Sequence, residues 1–167
     1  MAALCLATAT GVAQADDIDS VQRLAAAGQS TAALASLERL LVARPRDPAL
    51  RFLKGVLLSD AQRSADATQV FERLTEDYPE LPEPYNNLAV HYAAQGDYER
   101  ARVALGAALR ANPRYAVAQA NLGDVHLQLA QLSYQRALGI EPKDGATTVK
   151  LDALRRLNDA ALRTAPP

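Results

Sequence analysis

His91 and His126 are the only histidines, and neither stands in a metal-ligand spacing such as two histidines one helical turn apart with a glutamate between them. His126 falls on an apolar-face position of the periodic pattern described below, so it is expected to pack rather than to carry protons. Ser20, Ser30, Ser36, Ser59, Ser64 and Ser133 lack the glycine-flanked turn that exposes a nucleophilic hydroxyl. The acidic pairs Asp16-Asp17 and Glu76-Asp77 fit solvated helix ends better than a proton-transfer dyad. No glycine-rich phosphate loop is present. Cys5 is the single cysteine, which leaves no intramolecular disulfide and no cysteine-rich metal site. With no reactive constellation, the chain reads as non-enzymatic, without metal or cofactor, and its chemistry is that of recognition.

Composition bounds what the positioning elements can be. The 167 residues fit one domain, and a hydrophobic share of 49% can form a sizeable core. Only 5% are aromatic and there is no Trp, so close packing must rest on Ala and Leu. A formal net charge of −1 supplies no basic field for phosphates, which argues against nucleic-acid binding. No apolar run reaches the roughly 20 residues that span a bilayer. Residues 1–15, "MAALCLATATGVAQA", carry no charged side chain and end in Ala13-Gln14-Ala15, small residues that suit a signal peptidase. This segment reads as a signal peptide with its basic start upstream, and the alternative is an apolar helix packed on the first repeat. Leu4 occupies the place where a lipobox needs a small residue, so a lipid anchor at Cys5 is disfavoured.

The organisation of the chain is a repeat. Pro45, Pro79 and Pro113 are spaced by 34 residues, and so are Ala33, Ala67 and Ala101, as well as Leu37, Phe71 and Leu105. Within 82–115, Pro82 and Pro84 open a helix where a missing N–H costs least. Leu88, Ala89 and Tyr92 share one face of it. Gly96-Asp97 break it, and Ala101, Leu105 and Ala108 form the facing stripe of a second helix stopped at Asn112-Pro113. Each period is thus a helical hairpin.

The pattern at Tyr85, Leu88, Ala89, Tyr92, Gly96, Ala101, Leu105, Ala108 and Pro113 resembles the tetratricopeptide repeat family. Residues 48–81 match at Gly55, Leu58, Ala67, Phe71 and Pro79 but carry Lys54 where Leu is usual and Gln62 at the turn glycine. A degenerate first repeat matches at Leu24, Gly28, Ala33, Leu37, Leu40 and Pro45. The resemblance implies an all-α, right-handed α-α superhelix whose concave groove is lined by the first helix of each repeat. Carried over by position, Asn87 and Asn121 share one register of that groove, where the family's asparagines hold the backbone of an extended peptide. Asn86, Glu83, Asp124, Gln128 and Asp60 complete the candidate groove set, while Leu53 fills the equivalent position one repeat earlier. Solvated asparagines on a helix face are the alternative. No Lys/Arg pair at i, i+4 on the last groove helix supports capture of a C-terminal carboxylate.

The fourth unit breaks the period, because Pro142 follows Pro113 by 29 residues and the missing five are the turn. Gly123, Leu127, Ala130, Tyr134 and Ala137 step by four and three, which predicts one helix over about 116–138. An amphipathic cap with Leu151, Leu154, Leu157 and Ala161 on one side follows over about 147–164. The expected organisation is a signal segment at 1–15 and one domain at 16–167, with repeats at 16–47, 48–81 and 82–115, a shortened repeat at 116–144 and the cap. The expected function is a protein or peptide interaction scaffold, exported to the periplasm, monomeric or weakly dimeric. A self-associating structural protein built through the long helix and a cytoplasmic adaptor are the alternatives.

Overall fold

A computed structural model describes residues 9–164, with side chains placed for 17–157. Residues 1–8, including Cys5 and most of the expected signal segment, lie outside the described residues. All described elements are helices: α1 (Ala9–Ala26), α2 (Ser30–Ala43), α3 (Pro48–Asp60), α4 (Ser64–Asp77), α5 (Pro82–Ala94), α6 (Tyr98–Ala111), α7 (Ala116–Ile140) and α8 (Gly145–Thr164). They divide into two compact units, one ending at Tyr85 and one beginning at Asn86.

In the first unit, α1 packs on α2, α2 on α3 and α3 on α4. Val21, Ala33, Leu37, Leu50 and Leu57 form a buried core, and Ile18, Leu24 and Leu34 pack against it. Asp47 caps α3 by accepting from the backbone N–H groups of Ala49 (3.0 Å) and Leu50 (3.2 Å). Arg44 reaches both Asp17 and Asp47 at 3.6 Å, which ties α1 to the start of α3. Asp77, expected as a solvated helix end, engages Arg51 at 2.6 Å. The α3–α4 contact is set by one close approach: a Cβ on Gly55 would lie 2.5 Å from Phe71 Cε1. Phe71 is fully buried and tilts against Phe52 at a centroid distance of 5.6 Å.

Three hairpin turns share one geometry. An N–H reaches back five residues from Gln29 to Leu24, from Arg63 to Leu58 and from Asp97 to Tyr92, at 2.8 to 2.9 Å. Such a turn needs one residue in the left-handed region. Gly28 and Gly96 supply it at φ of 73° and 77°, and Gln62 supplies it at 59° despite its Cβ. Gln62 is the only non-glycine with positive φ among the described residues.

In the second unit Leu88, Ala89, Tyr92, Ala101, Leu105 and Ala108 are buried, as the repeat pattern requires. Arg100 lies over the Tyr92 ring at 3.9 Å from its centroid and donates to its hydroxyl at 2.9 Å. The turn missing from the fourth repeat yields the continuous α7, which packs on α6 and on α8. Leu129 and Leu132 lie beside Gly96–Glu99, at the start of α6, so the two helices run antiparallel there. Farther along, Lys150 of α8 stands 5.8 Å from the Tyr134 ring, and Leu151 is buried, so the cap covers this half of α7 within the chain. Leu154 is half-buried, Leu157 is half-exposed, and the Ala161 side chain lies outside those described.

One expectation is corrected. His126 is exposed, not packed, and Gly123 beside it is exposed too. The matching residues of the previous repeat, Ala89 and Tyr92, are 1% and 8% exposed. Those positions face the second helix of a hairpin, and without the turn no such helix folds back over Gly123 and His126.

Candidate functional site

The first helices of two successive repeats, α5 and α7, meet in the second unit. Asn121 Nδ2 donates to Asn86 Oδ1 at 2.8 Å, joining the two helices through a pair of amides. Asn86 is 7% exposed, so burial of its carbonyl is matched by this bond. The pair uses one N–H of Asn121 and leaves that half-buried amide with a second N–H and a carbonyl. Beside it lies a cavity of about 180 Å³ lined by Ala89, Val90 and Ala93 of α5 and by Asn121, Asp124 and Val125 of α7. Val90 is 51% exposed there, an apolar side chain left to solvent between two small alanines. The arrangement offers an amide that donates and accepts, a carboxylate and an apolar floor.

Of the expected groove residues, the structure brings Asn86, Asn121 and Asp124 together. Gln128 follows Asp124 one turn later on α7 and is half-buried. Asn87 is half-buried and holds polar contacts of its own. Glu83 is exposed in the first turn of α5, and Asp60 is exposed at the end of α3, both in the first unit. His91 is half-buried, and burial pushes its pKa below the ordinary imidazole value. Among the described residues no group of three or more His, Cys, Asp or Glu is placed to hold a metal, and no helix is long and apolar enough to cross a membrane.

The sequence pointed to Asn87 and Asn121 because they share a register. The partner that the structure gives Asn121 is Asn86, one residue away from that register. A fixed-period search passes over this offset, because it compares only residues 34 apart. A second missed feature is the Lys54–Glu38 pair at 2.7 Å, whose signal was the lysine in a leucine position.

Comparison with known proteins agrees with this architecture. A family profile described as tetratricopeptide repeat matches residues 18–82, and a second with the same description matches 82–115. The chain is similar to human tetratricopeptide repeat protein 16, with 28% identity over an alignment 149 residues long that covers 79% of this chain. It spans only 17% of that protein's length. Among solved structures, YrrB, described as a TPR protein with an unusual peptide-binding site, has a TM-score of 0.56 and 25% identity. That likeness covers 62% of this chain and 53% of YrrB. The MamA protein has a TM-score of 0.62 and 19% identity, covering 92% of this chain and 88% of MamA. The two profiles run without a break over the hairpins from α1 to α6, and the chain belongs to the tetratricopeptide repeat family.

Proposed function

We propose that the protein is a non-enzymatic interaction scaffold that holds an extended segment of a partner protein between α5 and α7. The observation that carries this reading is the Asn86–Asn121 amide pair set beside the exposed Val90 and the small cavity next to it. A peptide backbone needs donors and acceptors that do not select a side chain, and an amide offers both. Val90 and the alanines give the partner's side chains apolar contact. The peptide-binding site ascribed to YrrB, at 25% identity, supports the same use of the scaffold. The α8 cap already lies on the far half of α7, which favours a monomer over assembly through the long helix.

The scaffold is proposed to work after export, in the bacterial cell envelope. The uncharged run that ends at Ala15 supports this. Among the described side chains of α1, Val21 belongs to the core and Ile18 and Leu24 pack against it. Mass spectrometry of the N-terminus from the native host checks export: a chain beginning at Asp16 is expected, and an intact start would return the protein to the cytoplasm. The groove is tested with a photo-crosslinking residue at Val90, incubated with an array of extended peptides. Capture is expected from Val90 and not from Val103 on α6, which is 58% exposed and serves as the control. Equal capture from both positions would contradict the assignment.

A further inference from the structure

A larger cavity, about 630 Å³, lies in the first unit between α2 and α4, with α3 as its floor. One residue that lines it departs from the repeat pattern. Leu88 is 4% exposed in the third repeat, but 34 residues earlier the chain carries Lys54. A lysine cannot leave its ammonium unpaired in an apolar seam, so its head turns outward and donates to Glu38 Oε1 at 2.7 Å.

The charges around it are unequal. Arg63 engages Asp66 at 2.7 Å, and Lys54 engages Glu38, whose carboxyl is held below the usual carboxylate range chiefly by that hydrogen bond. Arg73 of α4 lines the same cavity, is exposed and makes no ion pair among the described residues. Three cations therefore stand against two carboxylates, and both carboxylates already have partners. Leu34, Leu58 and Val70 add an apolar wall. One repeat later, the residues in the register of Lys54, Arg63 and Arg73 are Leu88, Asp97 and Ala107. The hairpin scaffold does not require this set of charges, because the next hairpin forms without it.

We propose that this cavity is a second docking surface, separate from the α5–α7 groove, and that it takes an acidic segment of a partner protein. A glutamate or aspartate of the segment pairs with Arg73, whose planar guanidinium matches a carboxylate with two parallel hydrogen bonds, and Lys54 and Arg63 lie nearby. A neighbouring apolar side chain rests on Leu34, Leu58 and Val70. The volume of about 630 Å³ falls in the range of ligand-binding clefts. An open polar cavity in place of dry packing also marks a position that gives up stability for binding.

The test uses the full chain and fluorescein-labelled short peptides in which two glutamates flank a leucine, with matched peptides carrying glutamines instead. Anisotropy titrations at low salt should show the glutamate peptides binding about tenfold more tightly, and added salt should shrink the difference. Arg73→Ala should remove the preference. Lys54→Leu should remove it too while raising the melting temperature, so the loss cannot come from unfolding. Amide NMR shifts on binding should fall within 30–38, 54–61 and 63–73. Asn86→Ala with Asn121→Ala should leave this binding unchanged, which separates it from the groove. Equal affinity for the glutamate and glutamine peptides would overturn the proposal, as would undiminished binding by both Arg73→Ala and Lys54→Leu. Shifts confined to α5 and α7, or competition by N-acetylglutamate at the peptide's own affinity, would overturn it as well.

Discussion

The Gly55–Phe71 contact offers a quantitative test of how the repeats pack. A Cβ placed on Gly55 would meet Phe71 Cε1 at 2.5 Å, Cζ at 2.6 Å and Cδ1 at 3.0 Å. Carbon atoms pack at about 3.5–4.0 Å, so the ring would have to withdraw by about 1 Å. It has little room, being fully buried and leaning on Phe52. Gly55→Ala should therefore destabilise by about 1–3 kcal/mol, although alanine is the better helix former. Phe71→Leu alone leaves space behind and should cost about 1–2 kcal/mol. Combined, the two changes reproduce the Ala89–Leu105 pairing of the next repeat, where the residues are 1% and 0% exposed. The double variant should then be more stable than the sum of the singles by at least about 1 kcal/mol. Urea and thermal unfolding of the four proteins by circular dichroism give the cycle. Additivity within about 0.5 kcal/mol would refute the argument that glycine is present because phenylalanine is.

Gln62→Gly should raise stability by about 0.5–1 kcal/mol, since relief of the left-handed strain exceeds the extra freedom of glycine in the unfolded chain; an unchanged melt would mean that φ of 59° stores no strain. Asp144 caps α8 by accepting from the Thr147 hydroxyl (2.5 Å) and backbone N–H (3.2 Å), and these bonds hold its carboxyl below the usual range. A lowered carboxyl contributes stability that is present above its ordinary pKa and lost as pH falls through the lowered one. The melting gap between wild type and Thr147→Val should accordingly be constant above about pH 5 and close below it. Removing residues 146–167 uncovers the far half of α7 around Tyr134, so the shortened chain should dimerise or aggregate in light scattering; a soluble monomer would show that the cap is not its cover.

Most of the hairpin architecture was legible because it depends on local rules. Alanine and leucine at a 34-residue step, a glycine where the turn must go left-handed and a proline after each second helix state the fold directly. The missing turn was equally plain, and α7 is one helix for that reason. What the pattern concealed were consequences of departures from it. Gln62 holds a glycine's conformation because the hydrogen bonds of the turn constrain it, which no propensity announces. His126 sits in an aromatic register, but burial there needs a second helix that the shortened repeat lacks. Lys54 was visible as an anomaly, yet the cavity it lines depends on how α2 and α4 stand over α3. Asn86 was readable as a groove residue, and its bond to Asn121 was not, because cross-helix contacts need not respect the repeat period.

The central claim, that the α5–α7 surface holds a partner's backbone, is tested most directly by calorimetric titration of the peptide captured at Val90. The comparison is between the wild-type chain and the Asn86→Ala, Asn121→Ala double variant. Loss of the amides should weaken binding by about 1–3 kcal/mol, or about tenfold to a hundredfold, while the melting temperature falls by only a few degrees. Equal affinity of the two proteins for that peptide would contradict the account.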